Sequence, residues 1–220
     1  MKKKFIAIII LIAVVVLCGL AFFFLLGDSQ MPNEPNNPNN NEDTTLPEGW
    51  TANDMTACSI QIPMPPRQDP YVSAEGEYWR FQQNTQENTV FFPNIGIVIF
   101  QNPEAGGSGY VAGSVVVSCR PNADNNSVDE IAEQYGQYLA DQSRNVPEEA
   151  KLTLRMGEKI TLWNKEVQVV SIEGGMFNPE DKLYVTAHNG FAYIISKPAM
   201  STNAFVRQTT EDIFAKLNFK

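Results

Sequence analysis

Hydrophobic and polar positions change rhythm several times along this chain, and each change marks an element. Phe5 to Leu26 is an unbroken apolar run behind Lys2, Lys3 and Lys4. At about 1.5 Å per residue such a run is long enough to cross a hydrocarbon core of about 30 Å. Residues 27–48, "GDSQMPNEPNNPNNNEDTTLPE", then carry Asn and Pro and almost nothing apolar. They can bury too little surface to offset the entropy of ordering. Short strand patterns follow. "CSIQIPMP" alternates apolar with polar and stops at prolines, as a strand does. "GEYWRFQQ" and "IGIVIFQN" read as two more strands. "GYVAGSVVVSCR" is β-branched and apolar on both parities towards its end, which fits a central strand covered on both faces.

Helical spacing first appears at "SVDEIAEQYGQYLADQSR". Ser127 and Glu130 make a capping box, and Val128, Ile131, Ala132, Tyr135, Tyr138 and Leu139 form one core-facing stripe. Strand patterns return at "KLTLRM", "EKITLW" and "KEVQVVSIEG", with Asn164 and Lys165 as the turn between the last two. "KLYVTAHNGFAYIIS" is a hairpin whose Asn189-Gly190 pair suits a type I′ turn. That turn pairs His188 with Phe191, Thr186 with Tyr193 and Tyr184 with Ile195. Leu183, Val185, Ala187, Ala192 and Ile194 then share the opposite, wholly aliphatic face. A sheet covered on both faces accounts for the split. In the closing stretch Phe205, Val206, Thr209, Ile213 and Leu217 again repeat at helical spacing.

These patterns divide the chain into a basic cytoplasmic N-terminus (1–4), a transmembrane signal-anchor helix (5–26), a disordered Asn/Pro-rich linker (27–48) and an extracytoplasmic α+β domain (49–220). The lysines stay cytoplasmic and send the remainder across the membrane. A cleaved signal peptide competes with this reading, since Phe5 to Leu17 has the length of its apolar region. So does lipidation at Cys18, although Leu17 before it is not small. Fully extended, the linker reaches at most about 75 Å.

With the three anchor lysines set aside, 13 basic residues face 25 acidic ones, a net of −12. Nucleic acid and anionic headgroups are therefore not expected partners. Cys58 and Cys119 are an even pair outside the membrane and read as a disulfide, although two buried thiols would satisfy the sequence as well.

The order of elements then becomes informative. A strand opens after "LPEGW", a meander follows, and "SVVVSCRPNADNNSVDEIAEQYGQYL" feeds a strand into a capped helix. "KLYVTAHNGFAYIIS" and a tail ending "TEDIFAKLNFK" close the chain. Over about residues 47–220 this resembles the PsbP-like family, related in fold to the oxygen-evolving-complex protein of photosystem II, and anchored bacterial members look similar in plan. The resemblance implies a central antiparallel sheet sandwiched by helices, and a non-enzymatic accessory or binding module with no active site to carry over.

Catalytic signals are sparse. His188 is the only histidine, so a metal site would need Glu173, Glu180 or Asp181 around it, and a surface residue beside a turn is the plainer reading. No G-x-S-x-G turn offers a hydrolase nucleophile, although 25 acidic residues leave room for a paired-carboxylate glycosidase. "PEAGGSGY" lacks the Lys-Ser/Thr of a phosphate loop and joins two strands. "NADNNSVDE" has Asp129 where a calcium loop needs glycine. Phe177, in the polar loop "GGMFNPED", is the preferred partner-contact residue. The expected role is a membrane-anchored, non-enzymatic binding module at the plasma membrane, without a cofactor, whose partner is an envelope protein. An envelope hydrolase using paired carboxylates and an extracytoplasmic sensor subunit are the alternatives.

Overall fold

The computed structural model describes residues 46–73, 76–85, 91–101, 113–174, 182–197 and 203–220. The expected anchor, the linker as far as residue 45, and Phe177 lie outside these residues, while Leu46 at the end of the expected linker packs against the core. Ten strands and two helices are described, a mostly β-sheet unit. Seven strands form one antiparallel sheet: β3 (Tyr78–Thr85), β4 (Asn94–Gln101), β5 (Gly113–Pro121), β6 (Thr153–Leu162), β7 (Lys165–Glu173), β8 (Lys182–His188) and β9 (Phe191–Ser196). Their spatial order is β3-β4-β5-β9-β8-β7-β6. A smaller sheet, β1-β2-β10, joins β1 (Thr51–Met55) and β2 (Ile60–Met64) to β10 (Asn218–Phe219). The hydrophobic pattern alone gives no sign of this second sheet, because β10 is two residues long.

The closing hairpin has the register its turn demands: His188 opposes Phe191, Thr186 opposes Tyr193 and Tyr184 opposes Ile195. Asn189 and Gly190 both take positive φ, 46° and 77°, as a type I′ turn requires. Two expectations need correction. "KLTLRM" and "EKITLW" are one strand, β6, with an irregularity between Met156 and Lys159. Gln168, 3% exposed, donates through Nε2 to the carbonyls of Gly157 and Val169 there, at 2.9 and 2.8 Å. The amide thus reaches the exposed bulge and the buried Val169 carbonyl together.

The β6–β7 turn is Trp163-Asn164, one residue earlier than the sequence suggests, with φ of 53° and 57°. Positive φ is costly for an aromatic residue, and tertiary contacts offset it. Trp163 Nε1 donates to the Phe214 carbonyl at 2.8 Å, and its ring meets Phe214 edge-on at 4.9 Å.

Each face of the large sheet has its own core. Helix α1 (Val128–Gln142) packs on β6, β7 and β8. Beneath it Ile131 and Ala132 meet Val170, Val185, Ala192 and Ile194. The capping box forms as expected: Glu130 N donates to Ser127 Oγ at 3.3 Å, and Ser127 N donates to Glu130 Oε2 at 2.7 Å. Helix α2 (Ala204–Ala215) and the small sheet cover the other face. There Trp79, Val98, Phe100, Val115, Val117, Cys119, Tyr193 and Ile195 pack against Met55, Ile60, Ile62, Val206, Ile213 and Phe214. Gly96 lets the small sheet settle, since a Cβ there would lie 2.2 Å from Met55 Sδ.

Candidate functional site

Cys58 and Cys119 form a disulfide, with both residues fully buried. It ties the turn between β1 and β2 to β5, so it fastens the small sheet to the large one. Tyr193, directly opposite Cys119 across the β5–β9 ladder, donates its hydroxyl to the Cys58 carbonyl at 2.5 Å. Burial pushes the Tyr193 phenol up to about 12, which keeps it a neutral donor at physiological pH.

His188 is half-buried rather than freely solvent-facing. Lys165 Nζ lies 3.0 Å from its Nδ1 and donates to it, and Phe219 meets its ring edge-on at 6.1 Å. Burial, and then the Lys165 charge, lower the His188 pKa from 6.5. Burial lowers the Lys165 ammonium as well. A histidine whose Nδ1 is occupied by a cation is poorly placed as a metal ligand. Among the described residues no group of three or more His, Cys, Asp or Glu side chains could hold a metal ion.

Several of the described carboxylates are engaged in ion pairs. Lys159 bridges Asp129 at 2.6 Å and Glu166 at 3.6 Å. Glu173 accepts from Arg155 at 3.4 Å. An open cleft of 220 Å³ lies beside the β6 bulge, lined by Arg155, Met156, Glu158 and Lys182 among others. Met156, 41% exposed, is the one exposed large hydrophobic among the described residues.

The more informative region is the α1 side of β3, β4 and β5, away from the strands on which α1 packs; α1 touches it at the Arg120 end. Strand alternation puts Val98, Phe100, Val115 and Val117 on the α2 side. Tyr78, Arg80, Gln82, Ile97, Ile99, Ser114, Val116 and Arg120 therefore occupy the α1 side. Ile95, Ile97, Val116 and Ser118 are only half-buried. At one end of this surface Arg120 lies 4.0 Å over the Phe91 ring and donates through Nη2 to Gln134. Its Nε is buried without a partner, and burial lowers its pKa despite opposing Asp124. Phe91, Phe92, Tyr135 and Tyr138 form the aromatic cluster around it. Burial, with Tyr138 adding, pushes Tyr135 up to about 12.

At the other end Arg67 stacks over the Tyr78 ring, 4.1 Å from its centroid. Arg80, two residues along the same face, is held by the buried Gln101. In the amide orientation that satisfies both groups, the Gln101 oxygen accepts from Arg80 Nε at 2.9 Å and from Nη2. Burial lowers the Arg80 pKa, Tyr78 opposes that shift, and the Arg67 charge adds to it. Sequence reasoning overlooks Arg67, Arg80 and Arg120, because a chain-wide charge sum averages local basic groups away. An arginine two residues beyond an aromatic in a strand ("YWR") is the available signal.

No protein-family model matches the chain, and neither does any curated protein. Among solved structures, cyanobacterial PsbP from Synechocystis is similar, with a TM-score of 0.46 and 11% identity over 84% of this chain and 100% of that one. The likeness is at the level of fold, and no residue role passes through it.

Proposed function

We propose that the chain is a membrane-anchored, extracytoplasmic, non-enzymatic binding module of PsbP-like build. The Phe5 to Leu26 run behind three lysines serves as the anchor and residues 27–48 as the tether. The buried disulfide suits an oxidising compartment. One observation carries the binding role: on the α1 side of β4 and β5, away from the strands α1 packs on, Ile95, Ile97 and Val116 are only half-buried. Sheet faces are normally covered, and an apolar strip rimmed by polar groups is where a partner gains by docking.

The test is photo-crosslinking of the full chain in its native membrane, with the probe at Ile97 or Val116 and a control at Gln137, on the exposed side of α1. A specific protein adduct from the first two positions and none from Gln137 is expected. Equal labelling from all three positions, or turnover of an envelope substrate by the purified protein, overturns the reading.

A further inference from the structure

Acids outnumber bases in this domain, and many of its cations find a carboxylate. Arg144, Lys151, Arg155, Lys159, Lys197 and Lys220 all do. Arg67 and Arg80 do not, and neither do Arg120 and Arg207, but Arg67 and Arg80 differ in sitting close enough to feel each other's charge. Glu77, adjacent in sequence, instead takes the Ser73 hydroxyl at 3.5 Å. Arg80 is positioned by a neutral amide, Gln101, 4% exposed. That contact fixes the Nε edge of the guanidinium while leaving its charge uncompensated and Nη1 unused. Arg67 is fixed by its stacking on Tyr78. Two oriented cations without an anion, flanking a half-buried tyrosine, have the features of a preorganised anion site.

We propose that Arg67, Tyr78 and Arg80 bind the carboxylate of a ligand with an apolar or aromatic body. The guanidinium forks match a planar carboxylate. The domain's net negative field disfavours polyanions and multiply charged phosphates, so one charge is favoured over many. The apolar body has a surface to lie on: beyond the buried Ile99, the cross-strand neighbour of Arg80, the half-buried Ile97 and Val116 oppose each other on the same face. The site uses the binding face proposed above and adds a ligand chemistry to it.

The test titrates the full chain in lipid nanodiscs with benzoate, benzamide, acetate and inorganic phosphate, read by calorimetry. Saturable benzoate binding is expected, weaker acetate binding, and none with benzamide. Arg80→Gln and, separately, Arg67→Gln each weaken benzoate at least about tenfold, the loss of a charged hydrogen bond. Both variants keep the wild-type circular dichroism, and the second serves if the first does not fold. Binding unchanged in a folded variant, benzamide binding equal to benzoate, phosphate binding tighter than benzoate, or no benzoate binding overturns the assignment. Competition by benzoate against the Ile97 crosslink identifies a partner protein's carboxylate as the source, and binding without competition identifies a free acid. Crosslinks that persist without any benzoate binding remove this site and leave the binding-module reading standing.

Discussion

The two faces of the large sheet are closed by different means. The α2 face is sealed by a helix, a second sheet, a disulfide and a set of aromatic contacts, all reaching across long stretches of sequence. The α1 face is largely aliphatic where α1 lies on it, and beyond it Ile95, Ile97 and Val116 are only half-buried. Thr186, fully buried on the α2 face, donates to the Glu166 carbonyl at 2.8 Å, whereas Trp79 Nε1 is buried there without a partner. One face holds the fold together, and the other carries the surface proposed for recognition.

Breaking the covalent tie gives the largest contrast. Replacing Cys58 and Cys119 together by Ala opens a loop of 61 residues and lowers the unfolding free energy by about 4 kcal/mol in the chain-entropy model. Hydrogen exchange reads the asymmetry: amides of β1, β2 and β10 lose protection first, while those under α1 keep theirs. Next, Ile131→Ala, fully buried beneath α1, costs about 3 kcal/mol by denaturant titration. Protection should fall there first on the α1 side, reversing the order.

Gly190→Val costs about 2 kcal/mol for forcing a β-branched residue into positive φ. No atom lies within 4 Å of its added Cβ, so a cost well beyond that would show a contact where none is expected. Ser127→Ala removes the α1 cap and costs about 1 kcal/mol in a thermal melt.

The smallest effect is a pH dependence. His188 has a lowered folded pKa, so the unfolded chain takes up the proton first as pH falls. Stability therefore declines as pH drops below 6.5 and levels off below the lowered folded value. His188→Gln removes that part of the slope, and an unchanged slope would show that the histidine is not desolvated.

Local chemistry made much of this fold legible. The capping box, the Asn-Gly hairpin and its two faces follow from neighbours within a few residues. The disulfide was readable as one of two outcomes for an even pair of cysteines. Trp163 was not legible, because its backbone conformation depends on Phe214 on a distant helix. β10 was not legible either, since two residues have no periodicity. At the proposed site, Gln101 and Arg80 read as ordinary strand residues until the register brings them side by side. Phe177 was chosen for its loop's polarity, whereas the arginine pair is recognised by the fold bringing Arg67 and Arg80 onto either side of Tyr78.

The strand order carries one consequence for how the molecule is made. β3-β4-β5 is one local meander and β6-β7-β8-β9 another, and a single ladder, β5 with β9, joins them. A chain that emerges N-terminus first exposes the edge of β5, with Val115, Val116 and Val117, until nearly all the rest has followed. An unpaired β-branched edge is a template for mispairing. Forming Cys58–Cys119 early would fasten only one side of that seam. Completion of the sheet therefore waits on a long-range closure, and the last-made hairpin is what shields the most aggregation-prone strand.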